Sequence, residues 1–343
     1  MRTIAVTGAT GFIASHTIAL LLEAGHAVRG TVRSLARPEA HAFLTSLPGA
    51  AERLTLVEAD LLAPQSFDAA VAGCDTVLHM ASPYVMTVAD PRRDLVDPAV
   101  QGTLSVLRAC ARTPSVSRVV LTSSMAAVTD EPDSAVLLTE ANWNTRSSLT
   151  RNPYYFSKAE AERAAWAFVE TEKPGFDLVA INPFIVIGPS LTPQLNTSNA
   201  ILADLLKGTY PGIIDLTWGM VDVRDVALAH LRAAETPVAS GRYLCAGDTI
   251  TMREVVGLLR GLNVPGGRLP SIGLDNPVGS LLVRLLSYTQ PQGVGSYLRS
   301  HIGRAPRYDT AKIQRDLGLS FRDIRGSIVD TVADMTRWGH VGR

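Results

Sequence analysis

Thr3-Ile4-Ala5-Val6-Thr7-Gly8-Ala9-Thr10-Gly11-Phe12-Ile13-Ala14 passes from a short apolar strand through two glycines into a helix. Apolar residues at helical spacing continue over residues 12–24, and Gly25 is placed to cap the helix C-terminus. Gly8 and Gly11, with Ala14 in the third position, allow a pyrophosphate to approach the backbone. The first helical amides and the helix dipole then face the anion. Gly8, Thr10, Gly11, Phe12 and Ile13 are the candidate loop contacts. The same stretch would also serve as a tight turn holding nothing. A strand before it, a helix after it and a βαβ continuation favour nucleotide binding.

Outward from this turn, strand-like runs follow at residues 27–33, 54–59, 76–80, 119–122 and 178–181. Helical stretches separate them at 38–46, 66–72, 98–111 and 154–171. The strands are continuous apolar runs, as a parallel sheet buried on both faces requires. The expected fold is therefore α/β: a Rossmann-type, doubly wound parallel sheet with a smaller, mostly helical C-terminal substrate lobe. Residues 1–184, with about 218–247, form the dinucleotide-binding domain in this reading. Residues 185–217 and 248–343 form the lobe. It contains a Pro-, Gly- and Asn-rich stretch at 188–217 with one helix at 198–206. Further breaks are expected at 264–272 and 275–279.

The 343 residues are 46% hydrophobic, enough for a sizeable core, and the formal net charge is zero. That balance speaks against a long-range field for nucleic acid or an anionic membrane. Cys74, Cys110 and Cys245 are scattered, odd in number and without metal-type spacing, which reads as reduced thiols of a cytoplasmic protein with no metal site. A strand beginning at Thr3 leaves no room for a signal peptide. Asn196-Thr197-Ser198 fits a glycosylation sequon, relevant only to a secreted chain.

Cofactor choice is written after the second strand, where an acid holds a ribose 2′-hydroxyl and an arginine accepts a 2′-phosphate. The chain has Arg33 there, Arg37 four residues on, and no acid until Glu39. Arg33 reads as the phosphate clamp of NADP(H), preferred over NAD(H); a solvated surface arginine is the plainer alternative. Asp60-Leu61 lies where an adenine contact is expected, unless Asp60 is only an N-cap.

Tyr154-Tyr155-Phe156-Ser157-Lys158 puts a phenol and an ammonium four residues apart on one helical face. Only four lysines occur in the chain, which makes this one informative. Pro153 supplies the helix start. Ser123-Ser124 ends a strand of the same sheet, at the edge where ligands sit, and the residues alone leave the two serines as rivals. Together Ser124, Tyr154 and Lys158 suggest a proton-transfer site in which Ser124 and Tyr154 hold a carbonyl oxygen. A free phenol titrates near 10, so Lys158 is needed to acidify Tyr154, and its ammonium also suits ribose hydroxyls. No Gly-x-Ser-x-Gly elbow accompanies either serine, which disfavours a hydrolase, and His79 reads as locally hydrogen-bonded.

These segments resemble the extended short-chain dehydrogenase/reductases, within them the dihydroflavonol reductases, cinnamoyl-CoA reductases and microbial aldehyde or ketone reductases. The resemblance covers nearly the whole chain. It includes His79-Met80-Ala81-Ser82-Pro83, Thr139-Glu140-Ala141-Asn142-Trp143-Asn144, Val221-Asp222-Val223-Arg224-Asp225 and Gly241-Arg242-Tyr243. It implies that Ser124 is the catalytic serine and that Tyr154 and Lys158 border the cofactor. It further implies that Met80, Ala81 and Ser82 line the cofactor's ribose side, that Pro183 and Ile185 meet the nicotinamide carboxamide, and that Ser198 reaches the phosphates. Ala40 stands where a second basic residue often appears, a role open to Arg37. Thr129 replaces the asparagine of plant dihydroflavonol reductases, and Arg151-Asn152-Pro153 is not the Asn-Trp of cinnamoyl-CoA reductases. The expectation is an NADPH-dependent reductase of aldehydes or ketones to alcohols.

Two other readings share parts of this pattern. A nucleotide-sugar epimerase or dehydratase has the same cradle and Tyr/Lys pair, but residues 188–217 offer no basic cluster for a diphosphate substrate. A non-catalytic cofactor sensor has no use for Ser124, Tyr154 and Lys158. Pocket-lining candidates fall at 86–94, 129–136, 194–214 and 273–296. Either a monomer or a homodimer is compatible with the helices.

Overall fold

The computed structural model describes residues 1–63, 65–82 and 88–342. Seven parallel strands form the central sheet. They are β1 (Thr3–Val6), β2 (Ala27–Val32), β3 (Leu54–Glu58), β4 (Thr76–His79), β5 (Arg118–Thr122), β6 (Asp177–Pro183) and, after an excursion, β9 (Gly241–Cys245). Their spatial order is β3-β2-β1-β4-β5-β6-β9, so the direction of winding reverses between β1 and β4. In register, Ile4 faces Val28 on one side and Thr76 on the other. In such a sheet the crevice at the strand C-termini beside the reversal is the ligand site.

Alternate residues of these strands feed two separate apolar layers. Ile4, Val6, Leu78, Val120 and Val179 pack against Ile18, Leu21 and Leu22 of α1 (Phe12–Glu23) and Val226, Ala229 and Ala233 of a later helix. Ala5, Val77, Val119, Leu121 and Leu178 pack the other way. They meet Val106, Leu107 and Cys110 of α2 (Asp97–Ala111) and Ala165 of α3 (Pro153–Glu172). Both strand faces are buried, which explains the unbroken apolar runs in the sequence.

A second sheet joins β7 (Ile185–Ile187), β8 (Thr217–Asp222) and β10 (Asp248–Thr251), with β8 central. Strands β7, β8, β9 and β10 are absent from the sequence-based strand assignment. Around this sheet, α4 (Thr197–Leu206) and the helices Met252–Gly261 and Ile324–Arg337 enclose a third core containing Leu202, Trp218, Val255 and Ile328. The helix that follows β8, α5 (Val223–Glu235), returns to the central sheet, and α6 (Gln292–His301) lies late in the chain. The helix expected over 38–46 is instead a 3₁₀ turn, Pro38–Ala40, and one turn of α-helix, Ala42–Thr45. Only Leu44 of these two turns is buried, too little apolar stripe to extend a helix. Similarly, the stretch at 66–72 reduces to Asp68–Val71.

The β1–α1 turn is tied down by side chains. Gly8 has φ +69°, and a Cβ there would lie 3.0 Å from the Ala81 Cα. Replacing Gly8 with alanine therefore imposes left-handed strain and pushes on backbone. The expected loss in unfolding free energy is about 1–3 kcal/mol, measured by urea titration; an unchanged midpoint would contradict it.

Three histidines, His79, His230 and His301, are the most deeply buried in this framework. His79 is pushed down to about 3 by desolvation and then by the charge of Lys158, and burial also brings His230 and His301 to about 4. Unfolded histidines protonate near pH 6.5, whereas these rings stay neutral until the pH nears 4. The unfolded chain thus binds more protons across that window, and acid favours it. The share of stability that these three rings carry should be complete above pH 7 and decline between 6.5 and 4. The limiting slope is about 1.4 kcal/mol per pH unit for each ring. Urea midpoints across that range test this, and a flat profile would refute neutral burial.

Candidate active site

Strand β1 hands the chain to the cradle at Thr7. Its Oγ1 accepts the amides of Met80 at 3.0 Å and Ala81 at 2.9 Å, and lies 2.9 Å from His79 Nδ1. With both lone pairs taken, the Thr7 proton goes to Nδ1, which makes Nδ1 the acceptor nitrogen of a neutral His79. Gly8 N donates to Thr31 Oγ1 at 3.0 Å, and Gly11 N to the Gly8 carbonyl at 2.8 Å. Gly11 is the N-cap of α1 and brings no side chain to its first amides. The glycine approach at Gly8 and these uncapped amides fit a dinucleotide pyrophosphate.

A cavity of about 700 Å³ opens directly from this turn. Thr10, Gly11, Phe12 and Ile13 line it from the cradle, and Met80 and Ser82 from the end of β4. Ser124, Tyr154 and Lys158 line it from β5 and α3, and Pro183, Ile185 and Ser198 close the far side. Gly8 and Ala81 stand behind the wall, pressed against each other. Arg33 and Arg37 are exposed beyond β2 and outside the cavity. Asp60 also lies outside it, and its Oδ1 accepts the Leu62 amide at 2.9 Å in a local turn. Leu61 packs toward Gly102. Pro83, Met86 and Thr87 lie outside the described residues.

Pro153 occupies the first turn of α3, and Asn152 before it takes a left-handed conformation. Lys158, one turn after Tyr154, is buried, and its Nζ donates to Ser82 Oγ at 2.8 Å and sits 5.9 Å from the Tyr154 ring centroid. Desolvation lowers its pKa to about 8, so the ammonium persists at neutral pH. The two serines differ in what their hydroxyls already do. Ser123 Oγ donates to Glu162 Oε2 at 2.6 Å. Ser124 Oγ accepts the Ala126 amide at 3.1 Å, an arrangement that spends an oxygen lone pair and keeps the O–H proton for another acceptor.

The substrate side of the cavity holds residues that local sequence reasoning missed. Trp218 and Leu216 arrive at β8, and Tyr297 and Leu298 on α6, just past the expected 273–296 stretch. The expected 129–136 stretch is not part of the lining. Glu131 there pairs instead with Arg151 and Arg304. Asn196 caps α4, its Oδ1 accepting the amides of Ser198 at 3.0 Å and Asn199 at 2.9 Å. The sequon is thus also a capping signal before an apolar run, a reading available from sequence. Among the described lining residues Lys158 is the only lysine or arginine, and there is no carboxylate. No group of three or more His, Cys, Asp or Glu side chains is arranged for a metal among the described residues, and no described helix is long and apolar enough to cross a membrane.

The model of the NAD dependent epimerase/dehydratase family matches residues 4–246. A cinnamoyl-CoA reductase, CAD2 of Medicago truncatula, is 44% identical over 280 residues, 80% of this chain and 84% of the relative. Tetraketide alpha-pyrone reductase 1 of Arabidopsis thaliana is 36% identical over 98% of this chain and 96% of its own. Among solved structures, yeast methylglyoxal/isovaleraldehyde reductase Gre2, complexed with NADPH, superposes with a TM-score of 0.81 at 32% identity, covering 98% of this chain and 99% of that one. Fold, cradle and likeness agree: the chain belongs to the NAD dependent epimerase/dehydratase family and is an oxidoreductase of the extended short-chain dehydrogenase/reductase type.

Proposed function

We propose that this enzyme reduces aldehydes or ketones to alcohols with NADPH, using Ser124, Tyr154 and Lys158. The observation that carries the reading is the meeting of these three side chains, from two elements, in one cavity beside an uncapped helix N-terminus. Thr10, Gly11, Phe12 and Ile13 hold the cofactor's pyrophosphate in this reading, with Ser198 at the phosphates. Arg33, with Arg37, takes the 2′-phosphate and Asp60-Leu61 the adenine. Met80, Ala81, Ser82 and Lys158 border a ribose, and Pro183 and Ile185 the carboxamide. Residues 1–184 and about 218–247 supply most of the cofactor contacts, with Ile185 and Ser198 reaching in from the lobe; 185–217 and 248–343 form the substrate lobe, joined at the cavity by Trp218.

When bound, the reduced nicotinamide supplies the hydride. Ser124 donates a hydrogen bond to the substrate oxygen, and Tyr154 donates to it and gives up its proton as negative charge develops there. The buried Lys158 ammonium favours the phenolate left behind, which also serves the reverse direction. Aromatic and aliphatic groups from Trp218, Tyr297, Leu298 and Ile201 suit an uncharged apolar carbonyl compound. The named relatives act as reductases, in keeping with this chemistry. A nucleotide-sugar substrate, the second reading, needs a partner for its diphosphate, and the described lining offers none besides Lys158.

An aldehyde and ketone panel with NADPH and NADH in parallel, read as loss of reduced-nicotinamide absorbance, tests the reading. Steady NADPH consumption is expected; turnover confined to nucleotide sugars would transfer the case to the second reading. Tyr154→Phe should lower kcat at least about 100-fold with NADPH binding, followed by fluorescence titration, unchanged. Near-normal turnover in that variant would remove Tyr154 from the mechanism. Arg33→Ala should cut the preference for NADPH over NADH, as a ratio of kcat/KM, by about tenfold or more; an unaltered ratio would leave Arg33 a plain surface residue.

A further inference from the structure

The face of α3 that bears Tyr154 and Lys158 continues one turn further to Glu162, whose carboxylate is 1% exposed. Oε2 accepts Ser123 Oγ at 2.6 Å and Asn182 Nδ2 at 2.8 Å. Oε1 accepts Arg242 Nε at 2.7 Å and Trp166 Nε1 at 3.2 Å. A carboxylate this far from water persists only with its charge matched and its lone pairs filled, and both conditions hold here. Arg242 is buried too. It donates to the backbone carbonyls of Glu140 and Asn142, and its guanidinium lies 3.9 Å from the Trp143 ring centroid. That accounts for the Thr139–Asn144 and Gly241–Tyr243 motifs, which the cofactor and the chemistry leave unexplained.

The bonds of Glu162 lead to Ser124 by two routes. Ser123, its immediate neighbour, is fixed by the hydroxyl bond. Asn182 spans the remaining gap, because its Nδ2 also donates to the Ser124 backbone carbonyl at 3.1 Å. Glu162, Asn182 and Arg242 are outside the cavity lining, so they reach a substrate only through their neighbours. We propose that Glu162, with Arg242 as its counter-ion, is a positioning residue that fixes the Ser124 hydroxyl against the Tyr154 hydroxyl across the β5–α3 junction. This rests on the reading that Ser124 and Tyr154 act together on a carbonyl oxygen.

The test is a double-mutant cycle on the intact enzyme, assayed with NADPH and the best aldehyde of the panel. Asn182→Ala removes the amide bridge and leaves the Glu162–Arg242 pair whole; Glu162→Gln removes the charge. Each should lower kcat about 10- to 100-fold, with KM for NADPH changed less than about twofold. In a Ser124→Ala background the same substitutions should add less than about threefold, since they act through the group already missing. A purely structural role predicts a lowered melting temperature with kcat of the folded enzyme retained, or effects that multiply fully with Ser124→Ala; either result overturns the proposal. If Glu162→Gln does not fold, Asn182→Ala decides the matter alone. Wild-type kcat in Ser124→Ala itself would bring down the underlying reading. Slow Ser124→Ala beside a normal Asn182→Ala would bring down the positioning role only.

Discussion

The Thr7 hydroxyl ties the ends of β1 and β4 together where the strand order reverses. Its oxygen receives two amides from the β4 end, and its proton goes to His79. Helices on opposite faces leave a crevice at this point, and the Thr7 bonds carry the tie between the two paired strands past the last ladder rung to Met80 and Ala81. Everything that lines the cavity is measured from this knot. The glycine turn and α1 start on one side of it, while Met80 and Ser82 follow on the other. The cost is a fully buried imidazole, held neutral. Neutrality is a requirement of the site as well, because a charged His79 would oppose the ammonium of Lys158 across the same wall.

Charge is correspondingly sparse and placed by depth along α3. Tyr154 meets the cavity, Lys158 one turn later is buried with Ser82 as acceptor, and Glu162 one turn later lies in the core against Arg242. Because the carboxylate has its own counter-ion, it does not neutralise Lys158, and the ammonium remains available to the phenol. A helix repeats near 3.6 residues, so three positions four apart stay on one face while moving steadily inward. One helix face thus carries a phenol at the cavity, a buried ammonium one turn behind it and a carboxylate bonded to Ser123 beyond the end of β5.

Legibility in the sequence followed the range of the interactions. The β1–α1 turn, the alternating strands and the Tyr154–Lys158 pair were readable because each depends on residues within about one turn of one another. His79 differs: its hydrogen-bond partner Thr7 is 72 residues away, so the bond is local in space and not along the chain. Strands β8 and β9 were not recognised, since β8 (Thr217–Asp222) carries Trp, Gly and Met and β9 is a short run after a glycine. The 38–46 helix was over-read from composition where burial gives it no support. The choice between Ser123 and Ser124 was invisible locally, because it turns on a carboxylate 39 residues away.

The two ends of the cavity are built by different means, and this governs how each varies. The cradle end is built mostly of backbone amides and small residues held by strand geometry, which constrain conformation more than side-chain identity. At the substrate end Trp218, Tyr297 and Leu298 project from segments 80 residues apart in sequence, brought together by the third core of Leu202, Val255 and Ile328. Substitutions there change shape and apolar area without replacing Ser124, Tyr154 or Lys158. A cavity whose described lining holds one cation, Lys158, and no carboxylate discriminates by fit and desolvation. An added charge on a substrate would be buried unpaired, which excludes it more strongly than a misplaced methyl group would. Selection at this cavity therefore runs chiefly through rejection of charge at an apolar wall, and Ser124, Tyr154 and Lys158 stand apart from the residues that shape it.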